Sequence, residues 1–422
     1  MARWRGWKAL VHDAVDTTTD LVAEGHASAR RGIQRVADEV PGLGPAVGVV
    51  QEGVHLSTQG TLRSVKAVNR LVEALSDVAL DATLAPTPEG APVPQRSDIV
   101  GSPAWVADAA LGAINGAIGD HLALAGNPLD LGMGLRVGDR TLQDGDRLQG
   151  ALLVLVHGLG TTEWCWSLEA DEAFGDPAAT YGTQLGAAHG LQPIYARYNT
   201  GRRVGDNGRA LAEVLERHAR DAERIVLLGH SMGGLVVRSA CHQGRELGHD
   251  WVDRVTWVIS VGTPHQGAPL ARFGALATQG LDAVDVPTTK VLAKLLAGRS
   301  AGVRDLEHGE LLGRDPDATC APEARAVPLM AGPRYAFLAA TLTRDPDHPV
   351  GRLMGDLLVL RASAEGPLLH DAFAVHREVV GGVAHARTQA DPDILARITS
   401  LLAEEGELGT TGKPAASKEA ST

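Results

Sequence analysis

The segment from Ile225 to Arg238 constrains the fold more than any other part of the chain. An apolar strand pattern leads into Gly229-His-Ser-Met-Gly233, and a helix pattern follows directly. A serine at a sharp turn between a strand and a helix is typical of a serine nucleophile. Because Gly229 and Gly233 lack side chains, the strand and the helix can approach each other around the turn. The pattern predicts a βα unit with Ser231 as candidate nucleophile, and an inert serine in a glycine-rich turn is the alternative.

Strand and helix patterns alternate over the rest of the C-terminal two-thirds of the chain. The run at 151–156 has no polar alternation, which indicates a strand buried on both faces of a parallel sheet. Further strand patterns lie at 192–198, 224–228, 255–261, 335–341 and 378–380, and helix patterns at 207–219 and 233–243. Such alternation predicts an α/β fold, with a mostly parallel central sheet flanked by helices.

The composition of the chain changes along its length and suggests four regions. Residues 1–85 have a helical apolar period, and prolines between 86 and 130 indicate a linker with a short helix near 104–118. We expect the α/β domain at 131–404, with 268–325 as a candidate lid or surface insertion. The polar segment 405–422 predicts a disordered tail.

Charge and cysteine content exclude several classes of protein. The formal net charge of −12 argues against a non-specific nucleic-acid binder. The three cysteines, Cys165, Cys241 and Cys320, have neither a disulfide pattern nor a metal-ligand spacing. We find no signal peptide and no stretch near the roughly 18 apolar residues of a membrane span. A cytoplasmic protein is expected, and its oligomeric state is left open.

The first residues form a basic amphipathic segment, with Trp4, Trp7 and Leu10 on one helical face and Arg3, Arg5 and Lys8 elsewhere. Such a segment can lie on a membrane surface. Packing against the protein itself is the favoured interpretation, and peripheral membrane contact is the weaker hypothesis.

A glycine-rich segment, Val156-His-Gly-Leu-Gly160, follows the strand at 151–156. A hydrolase needs backbone N–H donors aimed at the oxyanion of its tetrahedral intermediate, and such a strand end can present them. We predict an oxyanion hole made by the N–H groups of Leu159 and Met232. His157 is expected to orient the loop, and a plain turn is the alternative.

Three segments in order resemble bacterial lipases and related esterases of the α/β-hydrolase superfamily. They are Val156-His-Gly-Leu-Gly160, Gly229-His-Ser-Met-Gly-Gly234 and Ser260-Val-Gly-Thr-Pro-His-Gln-Gly267. The resemblance covers about residues 132–402 and implies an α/β-hydrolase fold. It also implies a catalytic triad in the order serine, acid, histidine, with His230 beside the nucleophile.

The resemblance implies Asp356 as the triad acid and His385 as the base. Asp356 lies in Gly355-Asp-Leu-Leu-Val359, which is similar to the family's Asp-Gly-hydrophobic-Val segment but has Leu357 in place of glycine. His385 lies on a glycine-rich loop after the last strand, before a helix that Asp391 is expected to cap. The alternatives are Asp345 and Asp347 for the acid, and His370 and His376 for the base.

The implied activity is hydrolysis of carboxylic esters through an acyl-enzyme intermediate, without a metal or an organic cofactor. A small-molecule or lipid ester is the expected substrate. Trp164 and His265 are candidate pocket residues, although packing or structural roles are the alternative for both. Two other functions stay open: an acyltransferase with the same triad, and a binding protein that has the fold without activity. In a third hypothesis, the N-terminal helices recruit a partner or a membrane.

Overall fold

A computed structural model describes residues 103–138, 140–268, 300–313, 327–366 and 375–409. The expected N-terminal helices, the amphipathic segment with Trp4 and Trp7, Cys320, His370 and most of the candidate lid lie outside these ranges. Residues 410–422 of the expected tail at 405–422 also lie outside these ranges, and the last helix extends into the start of that segment, to Gly409.

The core element is one sheet of eight strands in the order β2-β1-β4-β3-β5-β6-β7-β8. Strand β1 pairs antiparallel with β2 and β4, and the strands from β4 to β8 are parallel to one another. The strands are β1 (Met133–Val137), β2 (Arg140–Thr141), β3 (Ala151–Val156), β4 (Gln192–Tyr198), β5 (Arg224–His230), β6 (Val255–Val261), β7 (Arg334–Thr341) and β8 (Val375–Gly381). The predicted mostly parallel sheet is therefore confirmed.

Helices flank the sheet, and short 3₁₀ turns begin at Glu163, Asp250 and His385. The helices are α1 (Pro103–Leu124), α2 (Ala170–Phe174), α3 (Tyr181–His189), α4 (Val204–Ala219), α5 (Met232–Leu247), α6 (Ala301–His308), α7 (Pro349–Met354), α8 (Arg361–Ala364) and α9 (Pro392–Gly409). Helix α1 is longer than the predicted helix at 104–118, and its backbone departs from helical angles at Ile118.

Apolar layers cover both faces of the sheet, which explains the unbroken apolar run of β3. Because side chains alternate between the faces of a strand, Leu152 and Val154 join the layer under α4 and α5. Leu153 and Leu155 join the opposite layer with Trp166 and residues of α3 and α9. All four of these β3 side chains are fully buried.

Strand β3 lies between β4 and β5 in the sheet. The chain therefore continues from β3 to one side and then crosses to the other side, which makes β3 the switch point of the sheet. In open α/β sheets, ligands bind beyond the carboxyl ends of the strands at such a switch point. The segments that follow β3 and β5 therefore meet where a site is expected.

Two negative findings concern only these described ranges. None of their helices has the length and apolar character needed to cross a membrane. They also hold no cluster of three or more histidine, cysteine or acidic side chains that could bind a metal ion. Cys165 and Cys241 are buried free thiols.

Candidate active site

Ser231 lies at a sharp turn between the end of β5 and the start of α5, as the sequence predicts. Its backbone angles are φ 53° and ψ −125°, in a region that non-glycine residues rarely adopt. The Ser231 N–H donates to the Val261 carbonyl at 2.9 Å, and this bond helps to hold the turn. A Cβ on Gly233 would lie 2.1 Å from the Val156 oxygen, so only glycine permits α5 to approach β3 this closely.

Asp356 and His385, far apart in sequence, form a buried pair after the ends of β7 and β8. The Asp356 Oδ2 atom lies 2.7 Å from His385 Nδ1, and both side chains are almost fully buried. Asp356 Oδ1 accepts hydrogen bonds from the N–H groups of Leu358 and Val359, at 3.0 and 2.8 Å. The carboxylate is therefore held from one side while its other oxygen faces the imidazole.

The segment that carries Asp356 has a strained backbone residue. Leu357, which stands where the similar family segment has glycine, has φ 89°. That conformation favours glycine and costs a leucine on the order of 1–3 kcal/mol. The Asp356 carbonyl also accepts a hydrogen bond from the His385 N–H at 2.9 Å, so the two loops are joined through their backbones.

Ser231 and the His385–Asp356 pair both border the end of β6, at Val261 and Gly262. Ser231 is bonded to Val261, and a Cβ on Gly262 would lie 3.3 Å from His385 Nδ1 and 3.4 Å from Asp356 Oδ2. Among the described residues, the buried His385 Nε2 has no hydrogen-bond partner. The three predicted residues are thus brought to one place, but the Ser231 hydroxyl does not hydrogen-bond His385 in this conformation.

The alternative acids and base lie elsewhere. Asp347 is exposed and pairs with Arg361 at 2.8 Å, and Asp345 accepts the N–H of Asp347 at 3.0 Å. His376 is partly exposed and pairs with Glu378 at 2.6 Å. None of these contacts involves His385 or Ser231.

A loop of residues 157–162, here called the β3 loop, passes over Ser231. A Cβ on Gly158 would lie 3.1 Å from the Ser231 Cβ. Within the described part of the chain, neither the Leu159 N–H nor the Met232 N–H donates a hydrogen bond to another residue. Met232 is the first residue of α5, where free N–H groups and the helix dipole favour negative charge. Neither predicted oxyanion donor is therefore engaged by another described residue.

Two buried neutral histidines surround the nucleophile. Burial lowers the pKa of His157 to about 4. Its ring stacks on Tyr198, and its Nδ1 donates to the Gly158 carbonyl at 3.0 Å. Burial also lowers the pKa of His230, whose ring lies 5.1 Å from the His385 ring and 6.2 Å from Trp166. The His157 contacts fit its expected role of orienting the β3 loop.

The two candidate pocket residues are both buried, and each contacts other protein groups. The Trp164 indole N–H donates to Asp108 Oδ2 at 3.1 Å. The His265 ring lies tilted against the Phe337 ring with their centroids 4.2 Å apart, and its Nδ1 accepts from Arg238 at 3.2 Å. Burial lowers the pKa of His265 well below its ordinary value, so its ring is neutral. A pocket role for Trp164 and His265 remains a prediction.

The sequence analysis missed a buried charge network that follows the β3 loop. Glu163 pairs with Arg197 at 2.7 Å and with Arg136 at 2.6 Å, and Arg197 also pairs with Asp108 at 2.7 Å. Burial by itself raises the pKa of Glu163, but the two arginines outweigh burial and the net pKa is lowered. Nothing in the sequence around Glu163 indicates its partners, because Asp108, Arg136 and Arg197 lie far from it along the chain.

A second missed residue supports the loop that carries His385. The buried hydroxyl of Tyr181, on α3, lies 2.9 Å from the Thr388 carbonyl and 2.8 Å from the Asp391 carbonyl. It also accepts the Asp391 N–H at 3.0 Å. The predicted cap is present as well, since Asp391 Oδ1 accepts the N–H groups of Asp393 and Ile394.

Comparison with known proteins gives one family match and several structural neighbours. Residues 196–281, a minor part of the chain, match the family model described as PGAP1-like alpha/beta domain. No curated protein matches the chain significantly. The match contains β5, the turn at Ser231 and α5.

Among solved structures, a mature lipase from Bacillus licheniformis is 18% identical, with 64% of this chain and 97% of the lipase covered and a TM-score of 0.38. An esterase from Pyrobaculum calidifontis is 15% identical, with 63% and 78% covered and a TM-score of 0.35. Lipase 1 from Pelosinus fermentans is 13% identical, with 60% and 98% covered and a TM-score of 0.40. The chain's mostly parallel eight-stranded sheet and flanking helices have the α/β architecture that the resemblance predicts.

Proposed function

We propose that the chain is a serine hydrolase that cleaves carboxylic esters through an acyl-enzyme intermediate. The observation that carries this proposal is the buried Asp356–His385 pair, with Oδ2 and Nδ1 2.7 Å apart, beside a serine at a strained strand-to-helix turn. This arrangement has the parts that nucleophilic acyl transfer needs: a nucleophile, a base and a group that orients the base.

Asp356 fixes the tautomer of the base in this mechanism. An ionised carboxylate only accepts hydrogen bonds, so the proton of the pair lies on His385 Nδ1. The Nε2 atom then carries a lone pair and can take the Ser231 proton. The bond between the Ser231 hydroxyl and Nε2 must form when substrate binds, since catalytic hydrogen bonds are often long in unliganded structures.

The chemical steps follow from these positions. Ser231 Oγ attacks the ester carbonyl while its proton passes to His385 Nε2, and the N–H groups of Leu159 and Met232 hold the oxyanion. His385 then protonates the leaving alcohol as the tetrahedral intermediate collapses to an acyl-serine. Water then gives a proton to His385 and attacks the acyl group. As this second tetrahedral intermediate collapses, the bond to Ser231 Oγ breaks, His385 returns the proton to Oγ, and the carboxylic acid leaves.

The buried neutral histidines around Ser231 support the same proposal. His157 and His230 stay uncharged at neutral pH because burial depresses the pKa of both rings. The imidazolium that forms on His385 therefore meets no other histidine cation near it. Its charge is balanced by Asp356, which lies against it.

Turnover of aryl esters of increasing acyl length tests the proposal. We expect the wild-type chain to hydrolyse at least one ester of the series. Ser231→Ala and His385→Ala should each lose at least about 10³-fold in kcat, while His376→Ala keeps wild-type turnover. A folded wild type that turns over none of the esters would contradict the proposal.

Product analysis with an added alcohol distinguishes hydrolysis from the acyltransferase alternative. Release of free carboxylic acid at an unchanged rate supports a hydrolase. A new ester formed at the expense of the free acid would show that the acyl-enzyme prefers an alcohol to water.

A further inference from the structure

Helix α1 lies outside both the resemblance at about 132–402 and the family match at 196–281, yet it packs against the site. Two of its buried glycines, Gly112 and Gly116, lie one turn apart on one helical face, and a third, Gly119, follows the break at Ile118. This face contacts two loops at the carboxyl edge of the sheet, the β3 loop and the loop after β4.

The backbone of α1 lies directly against the β3 loop. A Cβ on Gly116 would lie 2.7 Å from the Gly160 Cα and 3.0 Å from the Gly160 nitrogen. A Cβ on Gly112, one turn earlier, would lie 2.9 Å from the Thr161 carbonyl carbon. A side chain at either position must therefore displace the loop that carries Leu159, because backbone atoms on both sides leave no room for it.

Hydrogen bonds also hold the β3 loop beside α1. The Gly160 N–H donates to Thr200 Oγ1 at 3.0 Å, and Thr161 Oγ1 donates to the Gly158 carbonyl at 2.9 Å. The β3 loop is therefore bonded to the segment after β4 and packed against α1, with Leu159 between two fixed glycines.

Helix α1 is itself anchored by several bonds to residues outside the helix. Asn115 donates to the Leu129 carbonyl and accepts the Leu131 N–H, at 2.9 and 3.1 Å. The Ser300 hydroxyl donates to the Gly116 carbonyl at 2.7 Å, and Asp108 joins the buried network through Arg197. Because these contacts fix α1 on several sides, it can act as a rigid support.

We propose that α1 holds the β3 loop, and with it the oxyanion hole, in position and that Gly116 is a positioning residue. Its missing side chain sets the distance between α1 and Gly160, and thereby the place of the Leu159 N–H. This inference rests on the proposed function, because it assigns the Leu159 N–H to the oxyanion. Gly116 itself touches no reacting atom.

Gly116→Ala tests this inference in the full-length protein. We expect kcat for an aryl ester to fall about 10- to 100-fold, somewhat less than the loss of a whole oxyanion donor, with KM changed less than about twofold. Affinity for phenylboronic acid, whose tetrahedral serine adduct places an oxygen in the oxyanion hole, should fall in parallel with kcat/KM.

Gly244→Ala is the matched control. Gly244 is another buried helical glycine, on α5, and its added Cβ would lie 2.8 Å from the Trp251 ring and the Val252 methyl group. It therefore introduces similar crowding near the end of α5, away from the β3 loop. Its kcat and boronate affinity should stay within about twofold of wild type at a similar loss of Tm.

Amide hydrogen exchange of residues 157–162 gives a readout that needs no activity. Exchange should be faster in Gly116→Ala and unchanged in Gly244→Ala. If Gly116→Ala does not fold, Gly112→Ala gives the same test with a milder contact.

The inference is overturned if folded Gly116→Ala keeps both its kcat and its exchange rates, or if Gly244→Ala shows equal losses. Failure of the proposed function would look different. In that case the wild type would hydrolyse no ester, while the exchange comparison would still report whether α1 supports the β3 loop.

Discussion

At the scale of single residues, the account depends on how Asp356 is bonded. One of its oxygens accepts two backbone N–H groups and the other faces His385. The sequence indicated Asp356 only through its similarity to a family segment. That similarity is incomplete, because Leu357 stands where the family has glycine. The structure shows that this position does adopt the positive φ that glycine favours. The substitution therefore costs backbone strain without moving the carboxylate away from the imidazole.

Asp356→Asn should lower kcat by about 10³- to 10⁴-fold and leave Tm nearly unchanged. The amide oxygen can still accept the two backbone N–H groups, but its NH₂ group then faces His385 Nδ1. The imidazole must turn to the tautomer with the proton on Nε2, which cannot accept the Ser231 proton. Steady-state kinetics on an aryl ester measures the effect.

Asp345→Asn and Asp347→Asn are the controls for this substitution, because both carboxylates are exposed and have no contact with His385. Both variants should keep wild-type turnover. Equal losses in Asp347→Asn and Asp356→Asn would contradict the assignment of the acid.

His157 should make the stability of the fold depend on pH. Its pKa is about 4 in the folded chain and 6.5 for the ordinary side chain, so the unfolded chain binds the proton more readily. Its contribution is fully present above pH 6.5 and is lost as the pH falls toward 4. Between pH 7 and pH 5 it lowers the unfolding free energy by about 2 kcal/mol.

Urea unfolding of the wild type and of His157→Asn at pH 7 and pH 5 measures this contribution. The Asn amide can replace the hydrogen bond to the Gly158 carbonyl but does not titrate. The fall in unfolding free energy between the two pH values should be smaller in the variant by about 2 kcal/mol. An equal fall in both proteins would show that His157 is protonated in the folded state.

At the scale of elements, the buried charge network connects four parts of the fold. Asp108 belongs to α1, Arg136 to β1 and Arg197 to β4, while Glu163 follows the β3 loop. No sequence pattern could reveal this network, because its members are scattered along the chain and meet only in the folded sheet. The role of the α1 glycines could not be predicted from the sequence either, because it depends on the loops that they contact in the folded chain.

Glu163→Gln should lower the unfolding free energy by about 3 kcal/mol. The reason is that it leaves two largely buried arginines without their shared carboxylate. Glu213→Gln is the control, since Glu213 pairs with Arg209 on the exposed side of α4 and should cost well under about 1 kcal/mol. Urea unfolding at neutral pH compares the two. Similar small losses in both variants would mean that the network contributes little to stability.

At the scale of the whole molecule, the sequence predicted the sheet because its parallel strands are buried on both faces. The strand patterns at 151–156, 192–198 and 255–261 became β3, β4 and β6 with the expected bounds. The turn at Ser231 was predictable because its glycines and serine follow one another in the chain. The meeting of Asp356 with His385 was not predictable from spacing, because it depends on two loops after adjacent strands.

The hydrolase account depends on Ser231 being the group that reacts, and one measurement tests this most directly. A fluorophosphonate reacts covalently with a serine that an adjacent base activates. We expect intact-mass analysis of the wild type to show one added phosphonate, and peptide mapping to place it on Ser231. Ser231→Ala should show none. A folded wild type that gains no adduct, or equal labelling of Ser231→Ala, would contradict the account.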